Sequence, residues 1–372
     1  MRAWIEVNPD ALRANFRQIR ERAGARAAVI PMVKADGYGL GANWVARTLE
    51  PLDPWGFGVA TVGEGARLRS AGVHRPIVVF SPQPPESLEL AARHHLSLTI
   101  SDLDTLERWA ALASQSDGLD FHLEVDTGMG RAGFDWREIG AWGPRVRQLA
   151  VGSLRWTGVY THFHGADAPD PTPTVTQWER FRDALAQLPV SREDLMVHAA
   201  NSAATMRWPE YAADAIRPGI FLYGGNPAAG VLESTQLPRS AVAVRARVSL
   251  VRAVPPGSTV GYGATYVARN RETWATVPIG YGDGLPRVLG NQGEALVRGR
   301  RVRLVGRISM DMIVVDVSAI PAVSPGDIVT LIGEDGEEVI TVDEVALQAG
   351  TISYEILTGF TPRLPRVECT FD

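Results

Sequence analysis

The stretch AAVIPMVKADGYGLGANWVARTLE (residues 27–50) opens as an apolar run, breaks at a small-residue turn and continues as a helix-patterned segment. A short run that is apolar on both faces is how a strand reads when helices cover a parallel sheet. The unit recurs: FGVAT (57–61), PIVVF (76–80), LTI (98–100), DFHLEVD (120–126), TGVYTHF (157–163), LMVHAA (195–200) and AIRPGIFLY (215–223). Between these runs, stretches such as EGARLRSAG, LDTLERWAALAS and VTQWERFRDALAQL carry apolar residues at helical spacing. About eight β–α units is the number that closes a parallel barrel, so the expected class is α/β with a (β/α)8 TIM barrel. An open doubly wound sheet is the alternative.

After about residue 236 the texture changes. AVAVRARVSLVRAV, TWATVPIGYGDG, EALVRGRRVRLVGRISMDMIVVDV and GDIVTLIG alternate apolar and polar residues with Gly, Pro and Asp punctuation. They predict a mainly antiparallel β domain over 236–372, after a barrel over 9–235. A chain of 372 residues has room for both. The formal net charge of −5 argues against nucleic acid as the main partner. The single cysteine, Cys369, excludes an intrachain disulfide and most cysteine-based metal sites. It suits a reducing compartment. The opening residues have no apolar core of a signal peptide, and no run reaches membrane-spanning length. A cytoplasmic protein without a metal is the expectation.

Lys34 is the only lysine in the chain, against 36 arginines. Arginine binds anions at least as well but stays protonated, so it cannot form an imine with a carbonyl. A lone lysine is therefore a candidate for covalent chemistry. In a barrel, function collects on the loops after the strands. Lys34 ends the first strand, DTGMGR (126–131) follows the fifth, His162 ends the sixth, HAANSAAT (198–205) leaves the seventh and RPGI (217–220) lies in the eighth. Ser202 stands near a helix N-terminus, and Gly219 and Ile220 offer backbone amides, a combination suited to a phosphate. An ordinary helix cap also explains Ser202. An imine-forming amine together with a phosphate cup points to pyridoxal 5′-phosphate.

The motifs VKADGYGLG, EVDTGMGRAG, YTHF, HAANSAAT, RPGIFLYG, GYGATY, PIGYGDG, VGRISMDM and TISYEI resemble those of the alanine racemase family, in that family's order and nearly end to end. The resemblance implies a barrel followed by a β domain that residues 1–8 join. It implies a homodimer whose active sites are shared between subunits. The activity implied is interconversion of L-alanine and D-alanine, an isomerase reaction that makes a cell-wall precursor. Lys34 would hold the cofactor as an imine and act as base on one face of the substrate. Tyr262 of the second subunit would serve the opposite face. Tyr38, Ser202, Gly219, Ile220 and Tyr354 would hold the phosphate. Arg217 would face the ring nitrogen with His162 beside it. Arg131 would sit near the cofactor's phenolic oxygen and the substrate carboxylate, with the Met310 amide of the second subunit as another donor and Asp311 in support. Tyr281 and Tyr354 would narrow the entrance.

Three positions depart from the family's common pattern. Glu124 stands where many members carry a carbamylated lysine, and it is expected to give Arg131 an anionic partner. Leu40 replaces a usual histidine and Ser309 a frequent cysteine. The alternatives are a racemase accepting other small amino acids such as serine, a decarboxylase of the same architecture, and a non-catalytic cofactor-binding protein.

Overall fold

The computed structural model describes residues 1–369; the last three positions of the expected β domain, 370–372, lie outside the described residues. Eight parallel strands follow the apolar runs: β1 (Ala28–Val29), β2 (Phe57–Val59), β3 (Ile77–Val79), β4 (Ser97–Ile100), β5 (Leu119–Asp126), β6 (Leu154–Tyr160), β7 (Met196–Asn201) and β8 (Ala215–Arg217). From β2 to β8 each pairs with the next, and β8 pairs with β1. Between β1 and β2 the seam is closed by a bridge of Met32 to Gly58. Amides of Val33 and Gly58 bond to Gly58 O and Pro31 O there, at 2.8 and 2.9 Å. The sheet is thus a closed barrel. The first and eighth runs are much shorter as strands than the sequence predicts, because Pro31 and Pro218 lack the N–H a ladder needs.

Helices follow the strands with ordinary start signals. Thr61 and Glu64 form a reciprocal capping box on the helix Val62–Ser70. Asn8 caps the helix Pro9–Ala23 by accepting from the amides of Asp10 and Ala11, with Pro9 at its first position. The buried face of that helix, including Leu12, Phe16 and Ile19, packs into the main core.

The second layer is the β domain. Strand Ala3–Val7 pairs antiparallel with Val242–Arg247 and parallel with Arg366–Glu368. The sheet extends from Val242–Arg247 through Ile328–Asp335 to the hairpin Glu294–Val297 and Arg300–Arg303. A separate antiparallel sheet joins Leu250–Val254, Glu272–Val277 and Ile313–Asp316. Among the described residues, no helix is long and apolar enough to cross a membrane.

Candidate active site

Lys34 stands at the C-terminal end of the first barrel strand. The four residues after it, Ala35, Asp36, Gly37 and Tyr38, all have left-handed backbones, with φ of 51, 53, 63 and 55°. Three are not glycine, and the left-handed helix costs L-residues roughly 1–2 kcal/mol each. Tertiary contacts hold the turn. Asp36 accepts from the Ala42 amide at 2.9 Å, Glu64 accepts from the Ala35 amide at 2.7 Å, and the Tyr38 ring stacks on Tyr223 at 4.5 Å.

The turn delivers Lys34 and Tyr38 to a cavity of about 360 Å³ at the barrel mouth. Glu124, Arg131, His162, Ser202, Arg217, Gly219, Ile220 and Tyr354 line the same cavity. Desolvation lowers the Lys34 pKa, Arg131 and Arg217 push the same way, and Glu64 opposes them. A lowered pKa makes the neutral, nucleophilic amine more available.

Opposite the amine lies a small polar cup. Ser202 is buried, and its Oγ accepts from the Gly219 amide at 2.9 Å. Asn201 caps the short helix that Ser202 begins, accepting from Ala204 N at 2.9 Å. A Cβ added to Gly219 would fall 2.1 Å from the Tyr38 hydroxyl oxygen, so the cup exists because residue 219 has no side chain. Burial raises the pKa of Tyr38 and of Tyr354, whose rings lie 6.1 Å apart, and keeps both hydroxyls as donors. An amine, an anion cup and a fixed cation lining one cavity fit an aldehyde that carries a phosphate and a ring nitrogen.

The cation is Arg217, buried at the end of β8. It donates to His198 Nδ1 at 2.7 Å, Thr161 O at 2.9 Å, Ala199 O at 3.1 Å and His162 Nδ1 at 3.3 Å. Burial lowers its pKa to about 10, so it remains charged near neutrality. Its guanidinium carbon lies 4.8 Å from the Tyr160 ring centroid. Burial and Arg217 together push His162 and His122 down to about 3 and His198 down as well, so all three are neutral.

Arginine only donates, which fixes the tautomers: His162 and His198 accept at Nδ1 and carry their protons on Nε2. His198 Nε2–H then donates to His122 Nδ1 at 2.8 Å. That leaves the His122 proton on Nε2, a buried atom with no partner in the structure. Gly158 makes room for this ring, since a Cβ there would lie 2.5 Å from His122 Nδ1.

Glu124 sits two residues beyond His122 on β5, and both side chains are buried. Its expected direct pairing with Arg131 is not formed. The strand aims the carboxylate at Ser101 Oγ, 3.4 Å away, and at Tyr160, whereas Arg131 stands on the exposed loop beyond β5 and acts on it through space. Asp126 shapes that loop by accepting from the Gly128 and Gly130 amides, at 2.9 and 3.1 Å. Burial raises the Glu124 pKa, and Tyr160, Arg217 and Arg131 counter it.

Four expected site residues lie elsewhere in the chain. Tyr262 is 69% exposed on a tight turn over Arg307, and Met310 is 52% exposed. Asp311 pairs with Arg363 at 2.6 Å, and Tyr281 borders a separate groove near Thr351 and Glu355. The Tyr281 and Gly282 amides bond to Ser309 O and Met310 O, which sets Tyr281 beside the Met310–Asp311 turn. Sequence reasoning did not single out Tyr160, His198, His122 or Glu64. The alternation of His122 with Glu124 along a strand was a legible signal that they share a side. For Glu64, only the capping-box spacing from Thr61 was visible.

The family model described as alanine racemase, N-terminal domain, matches residues 7–227, and that described as alanine racemase, C-terminal domain, matches residues 241–368. An alanine racemase of Carboxydothermus hydrogenoformans is 40% identical over 373 residues, covering 98% of each chain. The crystal structure of alanine racemase from a D-cycloserine-producing Streptomyces lavendulae is similar with a TM-score of 0.93 and 35% identity, over 100% of this chain and 98% of that one. The alanine racemase of Bartonella henselae, solved with covalently bound pyridoxal phosphate, gives a TM-score of 0.89 and 29% identity, over 99% of this chain and 100% of that one.

Proposed function

The chain belongs to the alanine racemase family and racemises alanine with pyridoxal 5′-phosphate, and from that premise we propose which of its residues do so: Lys34 and Tyr262 as the two proton carriers, the second supplied by another copy of the chain. When bound, the cofactor supplies an electron sink for negative charge at the substrate α-carbon. The observation that carries the proposal is the convergence of the sole lysine, the Ser202–Gly219 cup and the donor-only Arg217 on one cavity.

Lys34 Nζ would hold the cofactor through its aldehyde carbon and would carry the proton for one face of the substrate α-carbon. Inversion needs a second group across the plane, and Tyr262, exposed at 69%, is free to reach a neighbouring copy. Tyr38, Ser202, Gly219, Ile220 and Tyr354 hold the phosphate. Arg217 has no acceptor and stays charged, so it denies the ring nitrogen a proton and limits how far charge spreads, which disfavours transamination. His162 holds the Arg217 fork in place.

Arg131 and the Met310 amide take the substrate carboxylate, and Tyr281 with Tyr354 keeps the side-chain pocket small. Asp311, tied to Arg363, steadies the Met310 turn. Glu124 moderates the field of the two arginines. The division into a cofactor-carrying barrel (9–235) and a β domain (236–372, with 1–8) is supported by the pairing of Ala3–Val7 with Val242–Arg247. The single cysteine supports a cytoplasmic setting.

Borohydride reduction followed by peptide mapping tests the lysine: an adduct is expected at position 34, and its absence there would overturn the reading. Mixing inactive Lys34→Ala and Tyr262→Phe chains tests the sharing. Mixed dimers regain one intact site and hence activity; none returns if each chain is self-sufficient.

A further inference from the structure

We propose that Glu64, on the helix after β2, is a positioning residue that aims Lys34 by locking the strained turn behind it. This inference rests on the two-base reading above. Glu64 Oε1 accepts from the Ala35 amide at 2.7 Å, and Oε2 accepts from the Ala60 and Thr61 amides at 2.9 and 3.2 Å. One carboxylate thus ties the backbone immediately after Lys34 to the loop after the neighbouring barrel strand. The bond falls on Ala35, the first of the left-handed residues. Alanine avoids this region when unrestrained, so without the bond the turn is driven back towards ordinary φ, and Lys34 moves with it.

The same side chain completes the Thr61 capping box, so helix capping and lysine aiming must be told apart. Three variants of the holoenzyme do this. Glu64→Gln keeps the size but sets an amide NH2 against backbone donors. Thr61→Ala removes the cap and leaves the Ala35 contact. Ala35→Gly relaxes the left-handed strain.

The readouts are kcat and the kinetic isotope effects of Cα-deuterated L-alanine and D-alanine. In Glu64→Gln, kcat is expected to fall on the order of 10- to 100-fold, the penalty of a misplaced reacting group. The isotope effect grows for only one enantiomer, the one whose α-proton Lys34 removes. Adding Ala35→Gly to Glu64→Gln recovers part of kcat. Thr61→Ala lowers Tm without a one-sided isotope effect.

Equal changes for both enantiomers, a one-sided change in Thr61→Ala, or no recovery on adding Ala35→Gly would each overturn the proposal. Should Glu64→Gln not fold, Glu64→Asp, which keeps the charge and shortens the reach, is read in the same way. A wild-type enzyme that exchanges the α-proton of neither enantiomer would sink the two-base reading itself. Symmetrical effects in an active enzyme would remove only the role of Glu64.

Discussion

Gly219→Ala isolates the cup proposed to hold the phosphate. Gly219 does not have the positive φ that makes other glycines here costly to replace, so alanine brings no backbone strain and its effect is steric. The new methyl would sit 2.1 Å from the Tyr38 hydroxyl oxygen and 2.9 Å from its Cζ, well inside contact distance. Tyr38 cannot swing away freely: it is buried, stacked on Tyr223 and fixed in a left-handed turn. Overpacking of this kind costs about 1–3 kcal/mol. Because the strain falls on the cup, it appears as weaker cofactor binding, a Kd raised on the order of 5- to 150-fold. Absorbance titration of the resolved protein with cofactor measures this. Adding Tyr38→Phe removes the nearest atom and is expected to recover part of the affinity. Native cofactor affinity in Gly219→Ala would refute the assignment of this cup to the phosphate.

Tyr262→Phe is expected to lower kcat by about 10²–10⁴, the usual worth of a positioned acid–base group, with cofactor retention and Tm unchanged because the side chain is exposed; a steady-state assay with both enantiomers checks it. Glu124→Gln should cut turnover roughly tenfold by leaving Arg217 and Arg131 less neutralised, and unchanged turnover would remove Glu124 from the site. His198→Leu deprives buried Arg217 of an acceptor and should cost about 1.5–3 kcal/mol in urea unfolding. His122 and His162 are held to about 3 against an ordinary 6.5, so between those values the unfolded chain binds protons that the native chain refuses. Stability to urea should therefore fall as pH drops from 6.5 towards 3, and a midpoint that rises in that window would contradict the buried neutral network.

The barrel was legible because each strand is apolar on both faces and each is followed by a helix-patterned stretch. Pro31 and Pro218 cut the first and eighth runs short as strands. Lys34 could be singled out because of its rarity, and Ser202 and Gly219 because small residues cluster where strands end. The Arg217–His198–His122 chain was not legible. It joins β8, β7 and β5 through the inward faces of a curved sheet, and no linear spacing encodes that register. Nor could the left-handed run be read, since Ala35 and Tyr38 avoid that region and Asp36 visits it only as a single residue, so tertiary contacts impose it. Glu124 was expected to meet Arg131 because it stands where many family members carry a carbamylated lysine that faces this arginine. The strand instead turns the carboxylate towards Ser101 and Tyr160.

The placement of Ala3–Val7 between Val242–Arg247 and Arg366–Glu368 bears on how the chain folds. The partners of this strand lie more than two hundred residues later in the sequence. The barrel, whose seam and neighbours all lie within residues 28–217, can close in the meantime. The ladder around Ala3–Val7 is thus a long-range closure, slower to form than the neighbour-to-neighbour pairing of the barrel strands.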